Sequence, residues 1–373
     1  MKMLSFLECM NSTYGGPAFS LPSLLHHLEK NYLVQSTVIS LKKKNEVYEN
    51  NVAECLGINP IILNQVGPRK LKLTHEIAKV KKIMQDCDII HTNNLWNYFS
   101  YLPYNLSKNS KKPNVISVRG SLYAWSLEQS RLLKKISWFL FQKKALDSAG
   151  FIHVTCNDEL TALRELGIKN KIVVSQHGVD VPDLIDKVPD SFYDKYKLSH
   201  NKKYFLFMSR LHTKKGLDML FNVWSRISHH YPDWELLVAG PDYGNYIPKI
   251  TKLNAVKYMG MLSGEEKEYC FSIAQFFVLP SYTENFGVVI GEAMARTVPV
   301  LTSTNTPWKD VNTNNAGVCF DLSTENLKRE LEFFFNLSDS TRKEMGRNAR
   351  ELIVRNYSWE RVSYPFYDAL KSL

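Results

Sequence analysis

The chain alternates short apolar runs with stretches in which apolar residues recur every three or four positions. In the first half, Met3–Leu7, Ser36–Leu41, Ile89–Thr92, Asn114–Arg119, Phe151–Thr155 and Ile172–Ser175 read as buried strands. Between them, Phe19–Lys30, Thr74–Gln85, Gln129–Leu146 and Asp158–Leu166 carry helical periodicity. Apolar strands separated by helices predict a parallel sheet covered on both faces. The rhythm restarts in the second half, with strands at Lys202–Ser209, Trp234–Ala239, Phe276–Leu279 and Pro299–Thr302. Helices are expected at Gly216–His229 and from about Gly287. The stretch Val181–Asp194, VPDLIDKVPDSFYD, is rich in Pro and Asp and has no period, as suits a linker. Thr341–Leu373 reads as helical with a pause at Tyr357–Ser358.

The expected architecture is therefore α/β, with two doubly wound Rossmann-like domains facing a central cleft. Residues 1–185 form the first domain and residues 186–355 the second, with a closing helix at 356–373 packing back on the first. A length of 373 residues agrees, because one hydrophobic core rarely grows that large. In such sheets ligands bind beyond the carboxyl ends of the strands.

Charge adds a partner class. The formal net charge is +10, and residues 1–185 carry 23 Lys and Arg against 15 Asp and Glu. The first half thus offers a basic surface to an anionic partner: a phosphorylated substrate, a membrane leaflet or nucleic acid. The segment QSRLLKKISWFLFQKKAL combines Arg131, Lys134, Lys135, Lys143 and Lys144 with Trp138, Phe139 and Phe141. Its chemistry suits a helix lying on an anionic membrane. Its apolar positions Leu132, Leu133, Ile136, Phe139 and Leu140 suit ordinary packing on a sheet equally well. Basic groups at Lys42–Lys44, Arg69–Lys72 and Lys108–Lys112 favour the membrane reading.

The six cysteines have no CxxC spacing, which suits reduced thiols rather than a disulfide framework or a zinc site. The start, MKMLSFLECM, does not read as a signal peptide, and no apolar run approaches 18 residues. A cytoplasmic location is expected, with any membrane contact peripheral.

Candidate chemistry follows the strand ends. Phe276–Glu292, FFVLPSYTENFGVVIGE, runs from a buried strand through a polar loop into a helix start. A new helix presents unpaired N–H groups and a positive dipole end to an anion, and Gly287 lets the backbone approach a ligand. If Glu292 is helical, it lies roughly 12 Å along the axis from Glu284. Glycosidase carboxylate pairs sit about 5–9.5 Å apart, so these two read as separate clamps on one long ligand. Ser209–Gly216, SRLHTKKG, puts Arg210 and Lys215 in one loop, where a forked guanidinium and a compact ammonium suit a diphosphate. Asn11–Ala18, NSTYGGPA, follows the first strand, and Gly15 and Gly16 there could touch a phosphate. It is not GxGxxG, so a dinucleotide fingerprint is absent. Asp86-Cys87-Asp88 is a DxD, which here reads as capping and turn chemistry rather than as a metal site.

Taken together, Gly15-Gly16-Pro17, His177-Gly178-Val179-Asp180, Ser209-Arg210-Leu211 with Lys215-Gly216, Pro280-Ser281, and Glu284-Asn285-Phe286-Gly287 running to Glu292 resemble glycosyltransferase family 4. The resemblance implies the two-domain GT-B fold and retaining, metal-independent transfer with no cofactor. A nucleotide-sugar donor would be held mainly by the second domain. Glu292 would bond the ribose, Glu284 the donor sugar, and the N–H groups of Asn285, Phe286 and Gly287 sugar or phosphate. Arg210 and Lys215 would bind the diphosphate, with Gly16 approaching it. The acceptor's proton would pass to the donor phosphate.

The chain departs from the family pattern at Arg119, in VRGSLYAW, where many members have His. Some bacterial polysaccharide enzymes look similar there, with an Arg-Gly and a downstream Trp, here Trp125. Arg119 is retained as a catalytic candidate. His177 replaces the usual Asn, with a plain turn role weighed against a functional one. His91, Asn93, Trp125 and His177 are candidates for the acceptor side, His91 being equally a satisfied core residue. The implied activity is hexose transfer onto a glycan, as in a lipid-linked bacterial O-antigen or capsule intermediate, at the inner face of the cytoplasmic membrane. No nucleic-acid partner is implied. The alternatives are a nucleotide-sugar epimerase on the same fold and a non-catalytic nucleotide-sugar-binding scaffold.

Overall fold

The computed structural model describes residues 1–11, 14, 16–42, 51–64, 74–122, 127, 130–284 and 286–373. They divide into two compact units: Met1–Gly178 together with Trp359–Leu373, and Val179–Ser358. Each is built on one fully parallel sheet.

The first unit has strands β1 Lys2–Leu7, β2 Gln35–Lys42, β3 Ile61–Asn64, β4 Ile89–Asn93, β5 Asn114–Ser117, β6 Phe151–Val154 and β7 Ile172–Val174. Their order is β3-β2-β1-β4-β5-β6-β7. The chain reverses its direction of travel across the sheet between β1 and β4. Side chains of β1 alternate between faces, as a pleated strand requires. Met3 and Leu7 join one core layer, with Leu21, Leu24, Leu25 and Leu28 of the helix Gly16–Tyr32. Those leucines recur at helical spacing and so form one stripe. Val362, Phe366 and Leu370 of the closing helix Trp359–Lys371 pack into the same layer. Leu4 and Phe6 point the other way, into a layer with Val80, Met84, Phe99 and Leu102.

The second unit has β8 Lys203–Met208, β9 Trp234–Ala239, β10 Val256–Gly260, β11 Ala274–Leu279, β12 Val300–Ser303 and β13 Gly317–Phe320. Their order is β10-β9-β8-β11-β12-β13, with the reversal between β8 and β11. Its core is aromatic. Phe276 stacks on Phe205 at 5.2 Å and on Phe334 at 4.6 Å, with Trp224, Trp234 and Phe335 around them.

Several elements differ from the pattern along the chain. Strands β3, β10 and β13 were not anticipated. All three are edge strands of four or five residues, and β10 is only partly buried, so none shows a long apolar run. The strand expected to reach Arg119 ends at Ser117, because Arg119 takes a left-handed conformation with φ of 47°. The helix Asp190–Tyr196 begins inside the aperiodic stretch and runs past its end, and its Phe192 enters the core of the second unit. Ordered structure therefore replaces part of the expected linker. The long basic helix is seen as Arg131–Asp147 with a π-helical turn at Trp138–Gln142, Gln129 lying outside the described residues. Two further helical segments, Asp339–Leu352 and Trp359–Lys371, flank the extended Ser358.

Candidate functional site

The carboxyl ends of β8 and β11 adjoin where the second sheet reverses, so the loops leaving them start side by side. The β8 loop runs through the exposed Arg210 to a short 3-10 turn at Thr213–Lys215 and then to Gly216. The β11 loop runs Pro280–Gly287. Two hydrogen bonds join them: the Tyr282 N–H donates to the Lys214 carbonyl at 2.8 Å, and the Ser281 hydroxyl donates to the same oxygen at 3.0 Å. Gly216 explains how close they come. Its φ is +74°, and a Cβ there would lie 1.9 Å from the Pro280 carbonyl oxygen. Only glycine fits such a conformation and such a contact.

This juncture brings two of the expected residues together. The Lys215 ammonium is ion-paired with Glu284 Oε1, and the two side chains are only 13% and 10% exposed. The Glu284 N–H donates to the Asn305 carbonyl at 3.2 Å, which fixes the backbone behind the carboxylate. Gly287, with φ of 73°, precedes the helix Val288–Ala295. Beneath the turn, the Trp308 indole N–H donates to the Phe286 carbonyl at 2.6 Å, and the two rings lie 4.9 Å apart. Phe286 is thus a buried anchor of the loop. Its side chain is not a ligand-facing group, although its N–H belongs to the expected set. Asn285 lies outside the described residues.

Glu292 sits in the helix after this turn but has its own partner. Lys267, on the helix Gly264–Ile273, donates to Glu292 Oε1 at 2.7 Å. One residue on, Glu268 pairs with Arg296, so two ion pairs tie these helices. Burial acts to raise the Glu292 carboxyl, but the neighbouring Lys267, with Arg296 behind it, outweighs that and holds it below the usual carboxylate range. Glu284 and Glu292 are therefore two separate carboxylates, each set against its own lysine. Lys267 went unnoticed in the sequence because it lies 25 residues away in a helix without a marked pattern.

In the first unit, Arg119 and His177 line one small cavity. Its wall includes Ser20, Arg119, Thr155, Ser175, His177 and Trp359. Arg119 Nε donates to Asn93 Oδ1 at 2.8 Å and Nη1 to the Ser20 hydroxyl at 2.6 Å. Nη2 is buried without a hydrogen-bond partner. Burial lowers the guanidinium to about 10, an effect that Glu159 opposes. Glu159 is itself buried, accepting from the Gly120 N–H, the Thr155 N–H and the Thr155 hydroxyl. His177 Nδ1 lies 2.6 Å from the Gly178 carbonyl, and its ring is 5.1 Å from Trp359. A Cβ on Gly178 would fall 2.2 Å from that indole, which requires glycine here.

Asn93 is buried, and its side chain holds Arg119 and the Phe6 carbonyl. His91 is fully buried, not exposed at a strand end. It belongs to a ladder across the sheet. The ring of His153 has Nε2 2.8 Å from the Ser175 carbonyl and Nδ1 2.6 Å from the Ser117 hydroxyl. His91 has Nε2 2.8 Å from the same hydroxyl and Nδ1 3.1 Å from the Ser5 hydroxyl. A carbonyl can only accept, so His153 Nε2 carries its proton and Nδ1 accepts from Ser117. Ser117 then accepts from His91 Nε2, and His91 Nδ1 accepts from Ser5. Burial, reinforced by Arg119, pushes His153 down to about 3 and His91 well below its usual range. Both are neutral structural groups.

Gly16 opens the helix Gly16–Tyr32, with open space around the position of a Cβ. Gly15 and Trp125 lie outside the described residues. Of the DxD, Asp88 accepts from the Lys2 N–H at 2.7 Å, pinning the start of β1. Among the described residues, no three His, Cys, Asp or Glu side chains gather as a metal-binding group.

Comparison with known proteins meets this geometry. Residues 14–182 match the family model described as Glycosyltransferase Family 4, and residues 190–352 match that described as Glycosyl transferases group 1. An uncharacterized glycosyltransferase of Haemophilus influenzae is 25% identical over 40% of this chain and 44% of its own length. The GDP-mannose:cellobiosyl-diphosphopolyprenol alpha-mannosyltransferase of Xanthomonas oryzae pv. oryzae is 22% identical over 72% of this chain and 74% of its own. O-antigen chain mannosyltransferase B of Escherichia coli is 29% identical over 38% and 34%. The chain thus spans less than half of the first and third of these relatives. Among solved structures, Anabaena Alr3699/HepE in complex with UDP and glucose superimposes with a TM-score of 0.77 at 17% identity, over 100% of both chains. A glycosyltransferase from Rickettsia africae gives 0.78 at 19% identity, over 100% of this chain and 98% of its own.

Proposed function

Since this chain belongs to the glycosyltransferases of GT-B fold, family 4 in its first half and group 1 in its second, we propose that it moves a hexose from a nucleoside-diphosphate sugar to a glycan acceptor. The observation that carries this is the Lys215–Glu284 pair at the sheet reversal of the second unit. An ammonium and a carboxylate side by side offer one group to a diphosphate and one to sugar hydroxyls. Glu292, held ionised beside Lys267, is a second acceptor suited to ribose hydroxyls. Departure of the nucleoside diphosphate concentrates negative charge on its terminal phosphate. Lys215, with Arg210 from the same loop, would stabilise that charge.

We take transfer to be retaining and independent of metal or cofactor. Each carboxylate is committed to a lysine, and neither is needed as a nucleophile if the donor phosphate accepts the acceptor's proton. The acceptor is proposed to be a lipid-linked bacterial surface-glycan intermediate, O-antigen or capsule, handled at the inner face of the cytoplasmic membrane. The mannosyltransferases among the relatives support this class and put GDP-mannose first in the donor panel. His177, in the wall of the cavity of the first unit, is its candidate acceptor-side group, and Arg119 in the same wall is kept as a catalytic candidate.

The test is thermal stabilisation of the whole protein by UDP-, GDP-, ADP- and TDP-sugars, followed by a transfer assay in EDTA with the stabilising donor. A ligand bound only by the folded state raises the melting temperature by mass action. One selective donor, with nucleoside diphosphate released in EDTA and the product retaining the donor's anomeric configuration, is the expected result. Loss of activity in EDTA restored by Mn²⁺, or an inverted product, would overturn the mechanism. Donor binding with no release on any acceptor would favour a non-catalytic scaffold.

A further inference from the structure

We propose that the helix Arg131–Asp147 is a docking face for an anionic lipid surface. Its apolar positions do not face the sheet. Leu132 is 72% exposed, Leu133 52%, Ile136 48%, Phe139 75% and Leu140 66%. The inward side is made of other residues. Trp138 lies 6.2 Å from Trp96, Phe141 lies 4.6 Å from Tyr101, and Gln142 accepts from the Trp96 N–H at 3.2 Å. Ala145 and Leu146 are buried below them. The helix is thus anchored by one side and turns its larger apolar side to solvent. The alternative that these five positions pack on the sheet is excluded by their exposure.

Five large apolar side chains on one helical face are more than the scattered exposed hydrophobics of an ordinary surface. Charge selects the occupant. Arg131, Lys135 and Lys144 are exposed on the same helix, while Lys143 is paired with Asp147. An apolar strip edged by Lys and Arg matches the boundary of an anionic leaflet, where acyl chains lie beneath negatively charged headgroups. The π-helical turn at Trp138–Gln142 lies within the strip and places Phe139 and Leu140 together outward while Trp138 and Gln142 turn inward. Among the described residues, no helix is long and apolar enough to cross a membrane, so the contact would be interfacial. This helix belongs to the first unit and the proposed donor residues to the second, and its test does not depend on the transferase reading.

The experiment is co-sedimentation of the whole protein, without donor, with vesicles of phosphatidylcholine and with vesicles containing phosphatidylglycerol. Binding is expected only to the second, weakening as salt is raised. Lys135→Ala/Lys144→Ala should lower the partition coefficient on the order of tenfold. Phe139→Ser/Leu140→Ser should lower it at least as much. Because all four side chains are outward, the melting temperature of each variant should match that of the parent. Absence of binding to the anionic vesicles, or equal binding by both variants, would overturn the proposal. So would a dimer in sedimentation equilibrium that Phe139→Ser/Leu140→Ser converts to monomer, since the face would then belong to a second copy of the chain.

Discussion

Lys215 and Glu284 neutralise each other in this structure, and that pairing makes a prediction with opposite signs for two measurements. A bound diphosphate must compete with Glu284 for the ammonium. Glu284→Gln removes the competitor while keeping shape and hydrogen-bonding capacity. The variant should bind the free nucleoside diphosphate at least as tightly as the parent, yet lose roughly 10²-fold in kcat, the scale of removing one preorganised group that stabilises a transition state. Titration calorimetry and initial rates separate the two effects. Full turnover would remove Glu284 from the site, and weakened diphosphate binding would show that the pair supports the anion site as a unit. The residues of this site were legible in the sequence because each follows a strand end, and the strands were apolar enough to locate. Their partners were not. Lys267 reaches Glu292 from a helix with no distinctive period, and Trp308 holds the Phe286 carbonyl across 22 residues. Arg119 was legible as an unusual residue, but not as a buried strut between Ser20 and Asn93.

Secondary-structure elements show the same division between period and direction. Spacing locates the apolar stripe of the helix Arg131–Asp147, yet cannot say which way it faces, and here the stripe faces out. Alternation within β1, β4, β5 and β6 likewise conceals that Ser5, His91, Ser117 and His153 share one face beneath Phe366, whose ring lies 5.4 Å from His91 and 4.9 Å from His153. In isolation each is one polar residue in an apolar run. Together they form a ladder that works only while both imidazoles are neutral. This gives a pH dependence of definite sign. An unfolded histidine takes up a proton near pH 6.5, whereas the folded values lie lower, at about 3 for His153. Below about 6.5 the unfolded chain therefore binds more protons, and stability falls with pH. The contribution is complete above that point and declines down to the folded values. Each histidine adds a slope of about 1.4 kcal/mol per pH unit in this window. Between pH 6.5 and 5, above most carboxylate titrations, urea unfolding of His153→Asn should show a shallower pH slope than the parent. Parallel slopes would mean that His153 is protonated in the fold.

At the scale of the molecule, the two units differ in how they are assembled from the chain. The second is one continuous stretch, Val179–Ser358, whose edge residues meet: the Val179 N–H donates to the Tyr357 carbonyl at 2.8 Å, and Val179 pairs with Ser358. It holds its own aromatic core and both ion pairs of the proposed donor site. The first is discontinuous, because Trp359, Val362, Phe366, Ala369 and Leu370 complete a core layer begun by Met3, Leu21 and Leu25. Burying a large apolar side chain contributes about 1.5–3 kcal/mol, so losing several is comparable to the whole stability of a typical domain, about 5–15 kcal/mol. A chain truncated before Trp359 should therefore retain a cooperative unfolding transition for the second unit and lose the one for the first. The fragment 179–358 should fold by itself, with the far-ultraviolet spectrum of a parallel α/β domain and a melting point raised by nucleoside diphosphate. Residues 1–178 alone should lack a cooperative transition and recover one when a peptide of residues 359–373 is added. Cooperative folding of 1–178 without that peptide would show that the closing helix covers the first core but does not complete it.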